Sequence, residues 1–126
     1  MAGACDTASI AARVRRLRPA DLLSALEAAS SDAGAGPLLI DVREPREFMA
    51  GHIAGAVNIP LAELASRLRD IPVDASPVFV CRSGARSLTA CGIALRAGAA
   101  EAFNLDGGLL AWAAEVDATM VLAAAR

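Results

Sequence analysis

The sequence predicts an α/β domain in which a small parallel sheet is flanked by helices on both faces. Three observations point there. Short apolar runs at 38–42, 56–60, 77–80 and 102–105 alternate with segments whose apolar residues recur at helical spacing, as strands joined by helical crossovers do. The run Pro77-Val78-Phe79-Val80 is apolar at every position, as a central parallel strand covered on both faces must be. The chain has 126 residues, 56% of them apolar, enough for one buried core and too few for two domains. Residues 1–10 read as a flexible tail, 11–115 as the single domain and 116–126 as a C-terminal extension.

Taken in order, residues 14–17 fit a short edge strand. Pro19 suits the first turn of a helix, with Asp21 near its positive end and Leu22, Leu23 and Leu26 as its apolar stripe. The small, glycine-rich stretch 30–37 is a loop. Residues 38–42 are a buried strand whose one polar member, Asp41, needs partners. Pro45 opens a short helix with Phe48 turned inward; Arg43, Glu44, Arg46 and Glu47 could bind substrate, but such a cluster is usually a set of solvated ion pairs of small individual worth, with Arg43 the exception. A strand at 56–60 and a helix at 61–69 follow, then the strand at 77–80. In the helix at 88–97, Leu88, Cys91, Gly92 and Leu95 share one face, so Cys91 reads as a core filler; the sharper alternative is a resolving thiol for Cys81. Gly98 ends that helix, 102–105 is the last strand, Asp106 is placed to cap a helix reaching Trp112, and Trp112 reads as packing. The extension could add a helix or strand, or meet a second subunit.

Composition excludes several functions. A net charge of −2 argues against nucleic acid or an acidic membrane surface as partner. All 12 basic side chains are arginine, so no lysine Schiff base can form. Three cysteines at irregular spacing make neither a disulfide framework nor a zinc site; Cys5 reads as an incidental thiol, and no metal or cofactor is expected. No apolar run approaches a membrane span and the start is not a secretion signal, which makes the cytoplasm the expected compartment. Its reducing conditions would keep a cysteine usable.

The chemistry concentrates at Cys81-Arg82-Ser83-Gly84-Ala85-Arg86-Ser87. A buried strand delivers the cysteine to a tight loop, and a helix begins where the loop ends. Loop amides and the unpaired first N–H groups of a helix favour negative charge, so a thiol held there should lose its proton readily and act as a nucleophile. Arg82 and Arg86 add cations that would attract an anionic substrate, Ser83 can donate a hydrogen bond, and Gly84 allows the turn. The plain alternative, a small apolar residue ending a strand, leaves the cationic loop behind Cys81 unaccounted for.

This stretch resembles the active-site loop of the rhodanese family of sulfurtransferases. Residues 39–48, Leu-Ile-Asp-Val-Arg-Glu-Pro-Arg-Glu-Phe, followed by Gly51-His52-Ile53-Ala54-Gly55-Ala56-Val57-Asn58-Ile59-Pro60, resemble the family's first signature, and Asn104-Leu105-Asp106-Gly107-Gly108-Leu109-Leu110-Ala111-Trp112 its last. One copy of the set is present, so the chain looks like a single-domain member with the rhodanese-like fold. The family usually has Ser or Thr before Pro19, where this chain has Arg18, which weakens the helix cap. The resemblance implies catalysis by Cys81, substrate binding by Arg82, Ser83, Gly84, Ala85 and Arg86, and support from Asp41 and Arg43. For Asp41 a catalytic acid or base is the rival of a hydrogen-bonded structural carboxylate, and the structural reading is favoured. Arg43 lies at a strand end, where α/β sheets place ligand-facing residues. His52, the single histidine, is a potential base, yet its setting favours a turn bonded to backbone.

The implied reaction moves sulfane sulfur from a small donor, thiosulfate or a persulfide, through a Cys81 persulfide to cyanide or to a thiol such as glutathione or thioredoxin. One rival is a persulfide carrier or binding module acting with a protein partner. Another is a cysteine phosphatase or arsenate reductase, whose cysteine and arginine are separated by five residues; here four residues, Arg82 to Ala85, separate Cys81 from Arg86. The shorter loop favours a sulfur atom over a phosphoryl group.

Overall fold

A computed structural model describes residues 10, 12–29, 36–72 and 74–122. Residues 1–9 of the tail expected at 1–10, with Cys5, most of the loop at 30–37, and residues 123–126 of the extension lie outside the described residues; Ile10, placed in that tail, is instead buried in the core beside Cys91 and Leu95. The elements are β1 (Val14–Leu17), α1 (Pro19–Ala29), β2 (Leu39–Asp41), α2 (Pro45–Ala50), β3 (Val57–Asn58), α3 (Leu61–Leu64), a 3-10 helix (Ala65–Asp70), β4 (Val78–Val80), α4 (Ala85–Arg96), β5 (Ala102–Leu105) and α5 (Gly108–Glu115). The strands form one parallel sheet in the order β1-β5-β4-β2-β3.

Strand geometry sorts the apolar residues onto two faces. On β4, Val78 and Val80 join Leu22, Leu39, Ile53, Leu105, Leu109 and Trp112 in one buried cluster, which brings in α1 and α5. Phe79 and Cys81 point the other way, into a cluster with Ile40, Val42, Leu64, Ala90, Cys91 and Leu95 under α3 and α4. Helices therefore cover both faces, as the sequence predicts. This alternation puts Cys81 on the α4 side of the sheet, at the carboxyl end of a central strand, where open α/β sheets bind ligands.

Several local expectations change. Leu88 is 51% exposed; the buried face of α4 is Ser87, Ala90, Cys91, Gly92, Ala94 and Leu95, which lets α4 lie closer to the sheet on small residues. The helix expected at 61–69 tightens into 3-10 geometry after Leu64. In α2 the buried residue is Glu47, while Phe48 is half-buried and stacks on the His52 ring. Asp106 does not cap α5; its carboxylate accepts from Arg16 Nε at 3.1–3.2 Å, and Gly107 takes the cap position. Asp21 compensates for the missing cap at Arg18 by accepting the Arg18 backbone N–H at 3.3 Å. Gly98, at φ 109°, ends α4 with Gly98 N–H bonded to the Leu95 carbonyl and Ala99 N–H to the Ala94 carbonyl, both at 3.1 Å. Beyond α5 the chain forms neither helix nor strand as far as Leu122, and Met120 and Leu122 pack against the Trp112 cluster.

Cys91 is fully buried and burial pushes its thiol up to about 12, so at neutral pH it is protonated and shielded. The core-filler reading stands. A thiol-directed disulfide reagent should leave Cys91 unmodified in the native protein and react with it on unfolding; rapid native modification at Cys91, located by peptide mass analysis, would contradict this placement.

Candidate functional site around Cys81

The loop after β4 is shaped by three glycines with positive φ: Gly84 at 103°, Gly107 at 75° and Gly108 at 60°. Gly84 is the residue that caps α4, and its left-handed conformation turns the chain back over the cysteine. Its N–H donates to Cys81 Sγ at 3.0 Å, and the N–H of Ser87, in the first turn of α4, donates to the same sulfur at 3.3 Å. The sulfur thus occupies the place of a capping side chain, taking orphan donors at a helix N-terminus.

Helix α5 holds the other side of the loop. Its first-turn N–H groups also lack intrahelical acceptors. Leu109 N–H donates to the Cys81 carbonyl at 2.8 Å and Leu110 N–H to the Arg82 carbonyl at 3.0 Å. Those carbonyls are bound on the α5 side, while amides further along the loop reach the sulfur. The fit depends on Gly108: a Cβ there would stand 2.4 Å from the Arg82 oxygen and 2.6 Å from the Cys81 oxygen. The last signature of the sequence is therefore a brace for the first residues of the loop.

A polar relay lies beneath the sulfur. Cys81 Sγ is 3.3 Å from Ser87 Oγ, and Ser87 Oγ donates to Asn104 Oδ1. The Ser87 hydroxyl has one proton, which Asn104 receives, so a Cys81 thiol donates its own proton to Ser87. Asn104 Nδ2 lies 3.4 Å from the Gly84 carbonyl, which sets the orientation of the amide. Ser87 and Asn104 are both buried. Neither role is assigned from the sequence, which offers Ser83 as the hydroxyl donor; Ser83 is exposed at the rim and Ser87 is the hydroxyl at the sulfur. Asn104 was detectable by the cue that singles out Asp41, a lone polar residue inside an apolar strand.

The charged residues lie differently from the sequence expectation. Asp41 and Arg43 are 0% and 1% exposed and bound to each other, with Arg43 Nη2 at 2.7 Å from Asp41 Oδ2 and Arg43 Nε at 2.9 Å from Asp41 Oδ1. Arg43 Nη2 also donates to the Gly51 carbonyl at 2.8 Å, and the Arg43 backbone N–H to Asp41 Oδ1 at 3.1 Å. Asp41 thus accepts hydrogen bonds from both the backbone and the side chain of Arg43, and the buried Arg43 spends its donors on Asp41 and the Gly51 carbonyl, as a buried cation must. His52 Nδ1 bonds the Phe48 carbonyl at 2.7 Å, the backbone role expected of it.

Arg86 does not stand open beside Cys81. Its guanidinium grips Glu47 in a two-pronged contact, Nη1 to Oε1 at 2.8 Å and Nη2 to Oε2 at 3.0 Å. Glu47 Oε1 also accepts the Glu44 backbone N–H at 3.0 Å in a capping box that begins α2. Of the cluster read as solvated, Glu47 is buried, as is Arg43, the residue set apart from it. Arg82 has no carboxylate partner among the described residues, and its buried Nε has no hydrogen-bond partner. Cys81 itself is 1% exposed, at the base of a loop whose Ser83 and Ala85 are exposed. Among the described residues no group of His, Cys, Asp and Glu could hold a metal ion, and no helix is long and apolar enough to cross a membrane.

The model of the rhodanese-like domain matches residues 19–115 of the chain. A sulfurtransferase of Allochromatium vinosum is 42% identical over 76 residues, 60% of this chain and 71% of that protein. The thiosulfate sulfurtransferase GlpE of Pseudomonas putida is 33% identical over 79 residues, 63% of this chain and 72% of that protein. The solved structure of the human single-domain sulfurtransferase TSTD1 is similar with a TM-score of 0.70 at 29% identity, over 79% of this chain and 96% of that one.

Two measurements test this geometry. Gly108→Ala should lower stability by about 1–3 kcal/mol in denaturant unfolding, since the new methyl meets the loop backbone at a positive φ; an unchanged midpoint would contradict the brace. The hydrogen bonds from Arg86 lower the Glu47 carboxyl from 4.5 to about 2. A carboxyl lowered on folding adds stability that is complete above its unfolded value and is lost as pH falls through the folded one. Wild type should therefore lose stability between about pH 4.5 and 2 more steeply than Glu47→Gln; parallel curves would refute the pairing.

Proposed function

The chain belongs to the family of rhodanese-like domains, and we propose that it is a sulfurtransferase working through a persulfide on Cys81. The observation that carries this reading is the convergence of the Gly84 and Ser87 N–H groups on one sulfur atom. Donors aimed at a sulfur stabilise its anion, and the anion is the nucleophile.

The thiolate attacks the outer sulfur of the donor and forms a new S–S bond, while the donor's own bond to that sulfur breaks and its electron pair leaves with the departing group. With thiosulfate the leaving group is sulfite. With a persulfide R–S–SH it is the thiolate R–S⁻, and Cys81 retains the –S–SH. In the second half-reaction an acceptor attacks the outer sulfur: cyanide leaves as thiocyanate, or a thiol such as glutathione or thioredoxin leaves as its persulfide, and the Cys81 thiolate is restored. As charge builds on the sulfur, the Ser87 hydroxyl turns its proton from Asn104 to Cys81, adding a third donor. N–H groups between Arg82 and Arg86 receive the outer, anionic sulfur. Ser83 and Ala85, the exposed residues of the loop, meet the incoming donor, and Gly84 turns the backbone over the sulfur that receives it. Arg82 supplies a cation at the rim. The chemistry needs no metal and no cofactor, and a reducing compartment such as the cytoplasm keeps Cys81 a thiol.

Mixing the protein with a sulfane-sulfur donor should add the mass of one sulfur atom at Cys81, and cyanide or a dithiol should remove it with turnover. Cys81→Ser should fold and take up no sulfur; loading that persists in that variant would sink the assignment. Loading released only to a protein partner would make the chain a persulfide carrier. Phosphate-ester hydrolysis that needs Cys81, without sulfur loading, would make it a phosphatase.

A further inference from the structure

Rim charge sets which sulfur donor the loop can accept. In a thiosulfate reaction a thiolate meets a dianion, so three negative charges gather at one sulfur. In a persulfide reaction the reacting end of the donor carries at most one. The two substrates therefore differ in how much unpaired positive charge the loop must offer.

The loop offers little. Arg86 is held by both oxygens of Glu47, at 2.8 and 3.0 Å. Glu47 is only 4% exposed, and the Glu44 N–H pins its carboxylate to the first turn of α2, so the anion cannot swing out to release its partner. Arg43, the next cation along the first signature, is consumed by Asp41 and the Gly51 carbonyl. His52 is tied to the Phe48 carbonyl and stacked on the Phe48 ring. Of the loop's two arginines, Arg82 alone lacks a carboxylate partner among the described residues.

We propose that Glu47 is a specificity-determining residue which withholds Arg86 from the sulfur donor, so that the site takes persulfides in preference to the dianion thiosulfate. Glu47 touches neither donor nor Cys81; it acts through Arg86. This inference rests on the sulfurtransferase reading and narrows its donor.

The test compares kcat/KM for thiosulfate and for the persulfide of 2-mercaptoethanol, whose carbon frame is uncharged, in wild type, Glu47→Gln and Glu47→Gln/Arg86→Gln. Wild type should favour the persulfide. Freeing Arg86 in Glu47→Gln should raise the thiosulfate-to-persulfide ratio by about tenfold or more, and added salt should erode that gain. The double variant restores the net charge of the pair and should return the ratio to the wild-type value even if its stability falls. A Glu47 that merely holds the fold would slow both donors alike and leave the ratio fixed in both variants. That result, or a wild type that favours thiosulfate, would overturn the role given to Glu47. Failure of every variant and wild type to load sulfur from either donor would instead overturn the sulfurtransferase reading itself.

Discussion

Everything at this site follows from how backbone amides are shared between one sulfur and two carbonyls. Two helices start against the same loop. Helix α4 lends the Ser87 N–H, and its cap residue Gly84 lends another, to Cys81 Sγ. Helix α5 lends the Leu109 and Leu110 N–H groups to the carbonyls of Cys81 and Arg82. Every helix must satisfy its first N–H groups somewhere. Here that obligation organises a nucleophile: acceptors of the loop are bound on one side, and donors are left for the sulfur on the other.

The constraint reaches back to the sheet. Cys81 can sit between two helix starts only because β4 is central and parallel to its neighbours, with α4 on one face and α5 on the other. The alternation along β4 then decides which helix the thiol meets. A one-residue slip in register would turn Cys81 toward Trp112 and leave the α4 amides without their acceptor. Fold and chemistry are set by the same pattern of apolar residues.

Much of this was legible in the residues. The edge strand at Val14–Leu17 and the last strand at Ala102–Leu105 fall where the sequence predicts them, because each is a short stretch ahead of a helix start marked by Pro19 or by Gly107 and Gly108. The loop was legible because a cysteine, a glycine and a helix start in sequence have a direct physical meaning. The partners of the loop were not. Glu47 looks like surface charge and Arg43 like a ligand-facing cation, and only tertiary placement shows that both are buried, Glu47 against the half-exposed Arg86 and Arg43 against the buried Asp41. Leu88 looks like core, but a helix built on Ala, Gly and Cys rolls toward its small side. Asn104 meets Ser87 across 17 residues of chain, a contact fixed by sheet order and not by any local signal. Electrostatic roles were the least readable: an arginine beside a cysteine suggests a receptor for anions until its own carboxylate is found.

The central claim is that the Gly84 and Ser87 amides are bonded to the Cys81 sulfur. Amide ¹H–¹⁵N spectra of the native protein and of Cys81→Ala test it directly. Loss of the sulfur should shift the Gly84 and Ser87 amide protons upfield, further than Leu109 and Leu110, whose acceptors are backbone carbonyls that the substitution leaves in place. Unmoved Gly84 and Ser87 resonances would contradict the account.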